Sequence, residues 1–289
     1  MIRRPYRAGS FYPDDAPRCR AEAEALIQAA QVPADIPRTL HGGLVPHAGW
    51  AFSGRTAAVL LKALAGVDRL NRLVLLGADH WGTAGGGALY DQGAWETPLG
   101  QVPIDEELSA ALAESVPALR RDPNAHAREH SIEVQLPLVR ILCPVARIVP
   151  ILIAPDDAAV DTGRAIGKTL NESFPDAGVV GSTDLTHYGP SYGLTPAGVG
   201  SPGMQWARDN DRRILELIKS MRPDAVIGEA SARLNACGAG AIAATMAACA
   251  AMGATRGACL EYCGSDDVMM DLYGQRAQDR VGYAAVAFV

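Results

Sequence analysis

No run of lysines or arginines interrupts the 289 residues, and the formal net charge is −6. Acidic and basic side chains are interspersed, so the chain lacks the electrostatic footprint that nucleic acid or an anionic membrane surface requires. No apolar stretch is long and unbroken enough to span a bilayer, and the opening MIRRPYRAGSFYP has an arginine pair but no apolar signal-peptide core. A cytoplasmic protein is the expectation. The six cysteines (Cys19, Cys143, Cys237, Cys249, Cys259, Cys263) follow no disulfide framework and include no CxxC pair. Reduced thiols follow, with Cys259 and Cys263, four apart in a strand-like setting, expected in the core. The glycine-rich GADHWGTAGGG lacks the spacing of a dinucleotide or Walker loop, so nothing supports a nucleotide site. Linkers, internal repeats and low-complexity tracts are absent as well, which predicts one domain over residues 1–289.

What is present is an α/β rhythm. With 48% hydrophobic residues the chain can bury a large core. Short apolar runs rich in Val, Ile and Leu alternate with amphipathic segments: GGLVPH then SGRTAAVLLKAL, RLVLLGADH, ARIVPILIAP then DDAAVDTGRAIGKTL, and AGVVGSTDLTH. Unbroken apolar strands of this kind are buried on both faces, which predicts a central mixed, partly parallel sheet flanked by helices. Residues 85–103 read as a hairpin excursion. The terminal VGYAAVAFV reads as a closing strand, and the small residues of AGAIAATMAACAAMG predict close packing of that helix on a neighbour.

In open α/β sheets ligands sit beyond the carboxyl ends of strands. His47 follows GGLVP, His80 follows RLVLLGAD, and Asp184 with His187 follow AGVVGST. Each alone reads as an ordinary structural residue. Together, if the strands run the same way, they bring several imidazoles to one rim, where without a metal or a reaction their desolvation would be uncompensated. Cys237 stands just before a glycine and the first turn of the Ala-rich helix, where unpaired N–H groups favour a thiolate, as ligand or nucleophile; a small apolar plug is the rival account. In AREHSIEVQLP, His130 ends a charged loop and either reaches the site or lies on the surface, while Glu133 complements a helix dipole. His41 and His126 keep structural readings, and Cys249 reads as packing. Trp50 and Tyr188 serve equally as pocket walls or core.

These residues fall in six blocks, RAGSFYP, PHAGWAFSG, LGADH, EHSIEVQLP, STDLTHYG and ACGAGAI. In this order they resemble the Memo proteins, including the members named AmmeMemoRadiSam system protein B. The resemblance runs nearly end to end. It implies a fold like that of class III extradiol dioxygenases, whose non-haem iron is held by two histidines and a carboxylate. It also implies that His47, His80 and Cys237 are the metal ligands, that Asp184 and His187 stand beside them, and that His130 is the histidine of the EHSIE block. Cysteine in place of the carboxylate argues against simple ring cleavage, because a thiolate is softer and itself oxidisable.

Two imidazoles and a thiolate leave a metal with open positions, and iron or copper are the expected ions, with zinc as a further candidate. Pro46 would hold His47 on one side, and Gly49 would let the backbone come close. His187 would act as general acid or base, oriented or raised in basicity by Asp184 if the two hydrogen-bond, and His130 would position a small-molecule substrate or stabilise an oxyanion. The resulting expectation is a metal-dependent oxidoreductase, dioxygenase-like. Rival expectations are a metal-binding accessory or scaffold acting with a radical-SAM enzyme and an AMMECR1-domain protein, and a hydrolase using Cys237 as nucleophile or zinc-activated water.

Overall fold

The apolar runs become the centre of one large sheet in the computed structural model, which describes residues 1–37, 39–67 and 70–289. The strands are β1 (Ile2–Arg3), β2 (Gly42–Val45), β3 (Arg72–Ala78), β4 (Gly87–Leu89), β5 (Ala94–Thr97) and β6 (Gly100–Pro103), followed by β7 (Leu119–Arg121), β8 (Arg147–Ile153), β9 (Ala177–Ser182), β10 (His187–Tyr188), β11 (Gly257–Gly264) and β12 (Arg280–Phe288). The α-helices are α1 (Ala16–Ala29), α2 (Trp50–Ala65), α3 (Glu106–Ser115), α4 (Leu136–Leu142), α5 (Ala158–Ser173), α6 (Ser201–Lys219), α7 (Pro223–Arg233), α8 (Ala239–Ala251) and α9 (Ser265–Tyr273). None of the described helices is long and apolar enough to cross a membrane.

The nine-stranded sheet runs β10-β12-β2-β9-β3-β8-β4-β7, with β11 also paired to β12. Its middle four strands, β2, β9, β3 and β8, are parallel, and antiparallel β12 and β4 flank them, so the sheet is mixed. The parallel strands are buried along almost their whole length, as their unbroken apolar sequences require. One face is covered by α3, α5, α6, α7 and α8, the other by α1, α2 and α4, giving three layers with two apolar cores. The expected hairpin is β5–β6, which joins β1 in a small three-stranded sheet. The closing strand is β12.

Helix starts follow ordinary capping chemistry. Asp15 accepts from Arg18 N at α1 and Asp105 from Leu108 N at α3, each at 2.9 Å. The Ala-rich α8 packs against α5 as its composition predicts. A Cβ at Gly163 or Gly167 would overlap the backbone at Ala244 or Ala248, so only glycine lets the two helices approach this closely.

Because β2, β9 and β3 are parallel neighbours, the residues after them share one rim. His47 leaves the end of β2, Asp184 the end of β9 and His80 the end of β3. His41 precedes β2 at the opposite end and takes no part. His126 is fully buried, with Nε2 2.9 Å from Ala88 O, and burial lowers its pKa to about 4. Cys249 is buried inside α8. The expectation that Cys259 and Cys263 lie in the core is corrected: β11 pairs on one side only, leaving Cys259 exposed and Cys263 half-buried beside Thr56 Oγ1.

Candidate metal centre

Three imidazoles converge at this rim. Ligand atoms of His47, His80 and His130 all lie within 4.8 Å of one another. The His80 and His130 rings stack at 5.0 Å, and His47 meets both edge-on at 5.0 and 5.5 Å. His130 is therefore not a surface residue: the loop between β7 and α4 folds back so that its ring joins those from β2 and β3. Cys237 Sγ stands 3.2 Å from His47 Nε2 and also contacts the His80 ring. It is delivered by the turn before α8, whose Cys237 N donates to Asp184 O at 3.2 Å while Asp184 N donates to the sulfur at 3.2 Å.

The electrostatics favour charge separation inside the cluster. Burial would raise the Cys237 thiol, but the His47 charge and hydrogen bonds from His47 and His80 outweigh it and bring the pKa down to about 7. Burial likewise opposes the His80 imidazolium, yet hydrogen bonds to Cys237 and Glu129 raise its pKa to about 10. His130 moves the other way. Burial and the neighbouring His47 charge lower it to about 3, so its ring is neutral.

Buried carboxylates organise the surroundings. Glu129, absent from the sequence expectations, has its carboxylate 3.0 and 3.1 Å from His80 Nδ1 and accepts the backbone N–H groups of His80, His130 and Ser131. Burial would raise that carboxyl, but the His80 hydrogen bond and charge hold it well below the usual carboxylate range. Glu133 does not serve a helix dipole. It is fully buried and pairs with Arg3 at 2.8 Å while accepting from Tyr6 N, Arg7 N and the Tyr12 hydroxyl. Through these bonds it ties down the N-terminal segment and places Phe11 edge-on to His130 at 5.1 Å.

Asp184 accepts from His47 N at 2.7 Å, and burial raises its pKa despite the His187 charge. Asp184 and His187 do not hydrogen-bond, so the condition for Asp184 to orient His187 directly is not met: His187 Nδ1 donates to Leu185 O at 3.0 Å instead. Gly49 is also not needed for a close approach: its φ is −57° and an added Cβ would find ordinary contact distances.

A cavity of about 670 Å³ opens on the cluster. His47, His80, His130, Asp184 and His187 line it together with Phe11, Phe52, Tyr192, Met269 and Tyr283. Trp50 and Tyr188 are core rather than wall. Trp50 is buried with its indole N–H on Val134 O, and Tyr188 is buried with its hydroxyl on Gly198 O.

The fold and rim define an α/β protein with a cluster of histidines, His47 buried, His130 half-buried and His80 exposed, that could hold a metal ion. Three borderline nitrogen donors with an adjacent thiol, and no Lys or Arg lining the cavity among the described residues, are a donor set for a transition metal. A family model described as Memo-like protein matches residues 3–287. The chain is 38% identical to a MEMO1 family protein of Methanopyrus kandleri over all of this chain and 99% of the relative. It is 36% identical to one of Methanothermobacter thermautotrophicus over 98% of this chain and 99% of the relative, and 33% identical to one of Thermococcus onnurineus over 100% and 99%. The chain belongs to the Memo family.

Proposed function

We propose that this protein is a metal-dependent oxidoreductase with a non-haem iron or copper ion held by His47, His80 and Cys237. The observation that carries the reading is the convergence of ligand atoms from His47, His80 and His130 within 4.8 Å, with Cys237 Sγ 3.2 Å from His47 Nε2. A thiolate beside imidazoles suits redox-active metals, and the bound ion would supply one-electron chemistry or Lewis acidity. The chain's own residues bind and manage protons. His187 carries its proton at Nδ1 against Leu185 O, so Nε2 can exchange a proton with a ligand in the cavity it lines. His130, neutral and with Nδ1 3.5 Å from Glu129 Oε1, adds a further nitrogen donor or positions the bound molecule. Phe11, Phe52 and Tyr283 limit water and orient a small molecule.

The test is elemental analysis and spin resonance of anaerobically purified protein beside Cys237→Ser and His130→Ala. Near-stoichiometric iron or copper, lost in Cys237→Ser and retained in His130→Ala, supports the ligand set. Loss in His130→Ala with retention in Cys237→Ser replaces the thiolate by the third imidazole. No metal in the native protein even after reconstitution refutes the reading, and leaves the scaffold and cysteine-nucleophile functions.

A further inference from the structure

Two of the imidazoles share one hydrogen-bond relay whose proton positions are determined by which groups can only accept. Ser182 Oγ donates to Ser131 O at 2.7 Å. A hydroxyl has one proton and a carbonyl has none, so where Ser182 Oγ meets His47 Nδ1 at 2.8 Å the oxygen accepts and the nitrogen carries the hydrogen. Ser131 N in turn donates to Glu129 Oε1 at 2.9 Å, joined by His130 N at 2.7 Å on the same oxygen and His80 N at 3.0 Å on Oε2. Three N–H donors hold Glu129 as an ionised carboxylate, which only accepts. His80 Nδ1, 3.0 Å from Oε1, is therefore also a donor. Ser182, Ser131 and Glu129 are 2%, 0% and 1% exposed, so water does not substitute for any of them.

We propose that Glu129, Ser131 and Ser182 are positioning residues that keep Nδ1 of both His47 and His80 protonated, so that both rings offer Nε2 to the metal. This rests on the metal-site reading above. The opposite tautomer of either ring would leave a buried acceptor without its hydrogen and present an N–H to the ion. Ser131 links the halves, because its N–H donates to the Glu129 carboxylate that holds His80 and its C=O accepts from the Ser182 hydroxyl that holds His47. The orientation of one ligand is thereby coupled to that of the other through the backbone of one residue.

The experiment is long-range nitrogen–proton correlation spectroscopy on protein carrying ¹⁵N-histidine, metal-free and zinc-loaded, with zinc affinities for Glu129→Gln and Ser182→Ala. The expected spectra show Nδ1 protonated in both rings in both states, with Nε2 bound in the zinc form. Either ring with a bare Nδ1 overturns the proposal. Glu129→Gln puts an amide donor against existing donors, and Ser182→Ala removes the His47 acceptor, so each weakens zinc binding by about 10- to 100-fold. Unchanged affinity in a folded variant also overturns it. Should Glu129→Gln fail to fold, Ser182→Ala and the native spectra decide. Failure of the native protein to take up zinc refutes the metal site itself, while the metal-free spectra still decide the proton positions.

Discussion

Metal and protons compete for the same atoms at this site, so affinity should depend on pH in two stages. Cys237 titrates at about 7 rather than at the ordinary thiol value of 9.0. Lowered from 9.0 to about 7, the thiol spares metal binding a deprotonation cost of about 2 kcal/mol at neutral pH. His80 stays protonated up to about 10, its imidazolium lying between Glu129 and the thiolate. A metal entering at about pH 8 displaces at least the His80 proton, and affinity rises at least tenfold per pH unit. At about pH 6 the thiol must also ionise, which adds one proton and steepens the slope by about a further tenfold per unit. The sign is fixed: both stages weaken binding as pH falls. Competition titrations with zinc across this range, with proton release measured in weakly buffered solution, read the slope directly. Cys237→Ser has no thiol to ionise, so it should bind more weakly and lack the steepening below about pH 7. A single slope through pH 7 in the native protein, or the same steepening retained in the variant, would refute the charge-separated cluster.

Other consequences concern the frame. Glu133→Gln leaves the buried Arg3 guanidinium without its carboxylate, so urea unfolding should show a loss of about 3 kcal/mol or more, and limited proteolysis should cut the first residues faster. An unchanged urea midpoint would show that the carboxylate does not hold that segment. Gly163→Leu forces α5 away from α8 and should lower stability by about 1–3 kcal/mol, read as a drop in melting temperature with zinc stoichiometry retained.

Much of this arrangement was legible because it depends on local order along the chain. Apolar runs of four to seven residues announce buried parallel strands, and a histidine one or two places beyond such a run lies at the strand's carboxyl end. His47 and His80 are of this kind, and Cys237 was legible from its place before a helix. The residues that orient them were not. Glu129 and Ser182 look like loop and strand-end polar residues until the fold sets them beside His80 and His47, and no period or spacing marks a carboxylate whose donors come from three other positions. The one available signal was a second acidic residue inside the EHSIE block itself.

That block performs two tasks four residues apart. Glu129 faces inward to His80, and Glu133 faces the N-terminal segment, holding Arg3, Tyr6, Arg7 and Tyr12. Arg3 completes the circuit, since its guanidinium also donates to Glu129 O at 2.6 Å and His126 O at 2.9 Å. The same short loop therefore holds a candidate ligand, its orienting carboxylate and the anchor of the segment that brings Phe11 to the cavity. Besides the contact of Phe11 with His130, a perturbation of the N-terminal segment reaches Glu129 through Arg3, whose loss frees the backbone on which Glu129 sits. Arg3→Gln should therefore weaken zinc binding as well as stability, although Arg3 touches no imidazole of the cluster; a variant that loses stability but binds zinc as tightly as the native protein would show that the loop holds Glu129 without the segment's help.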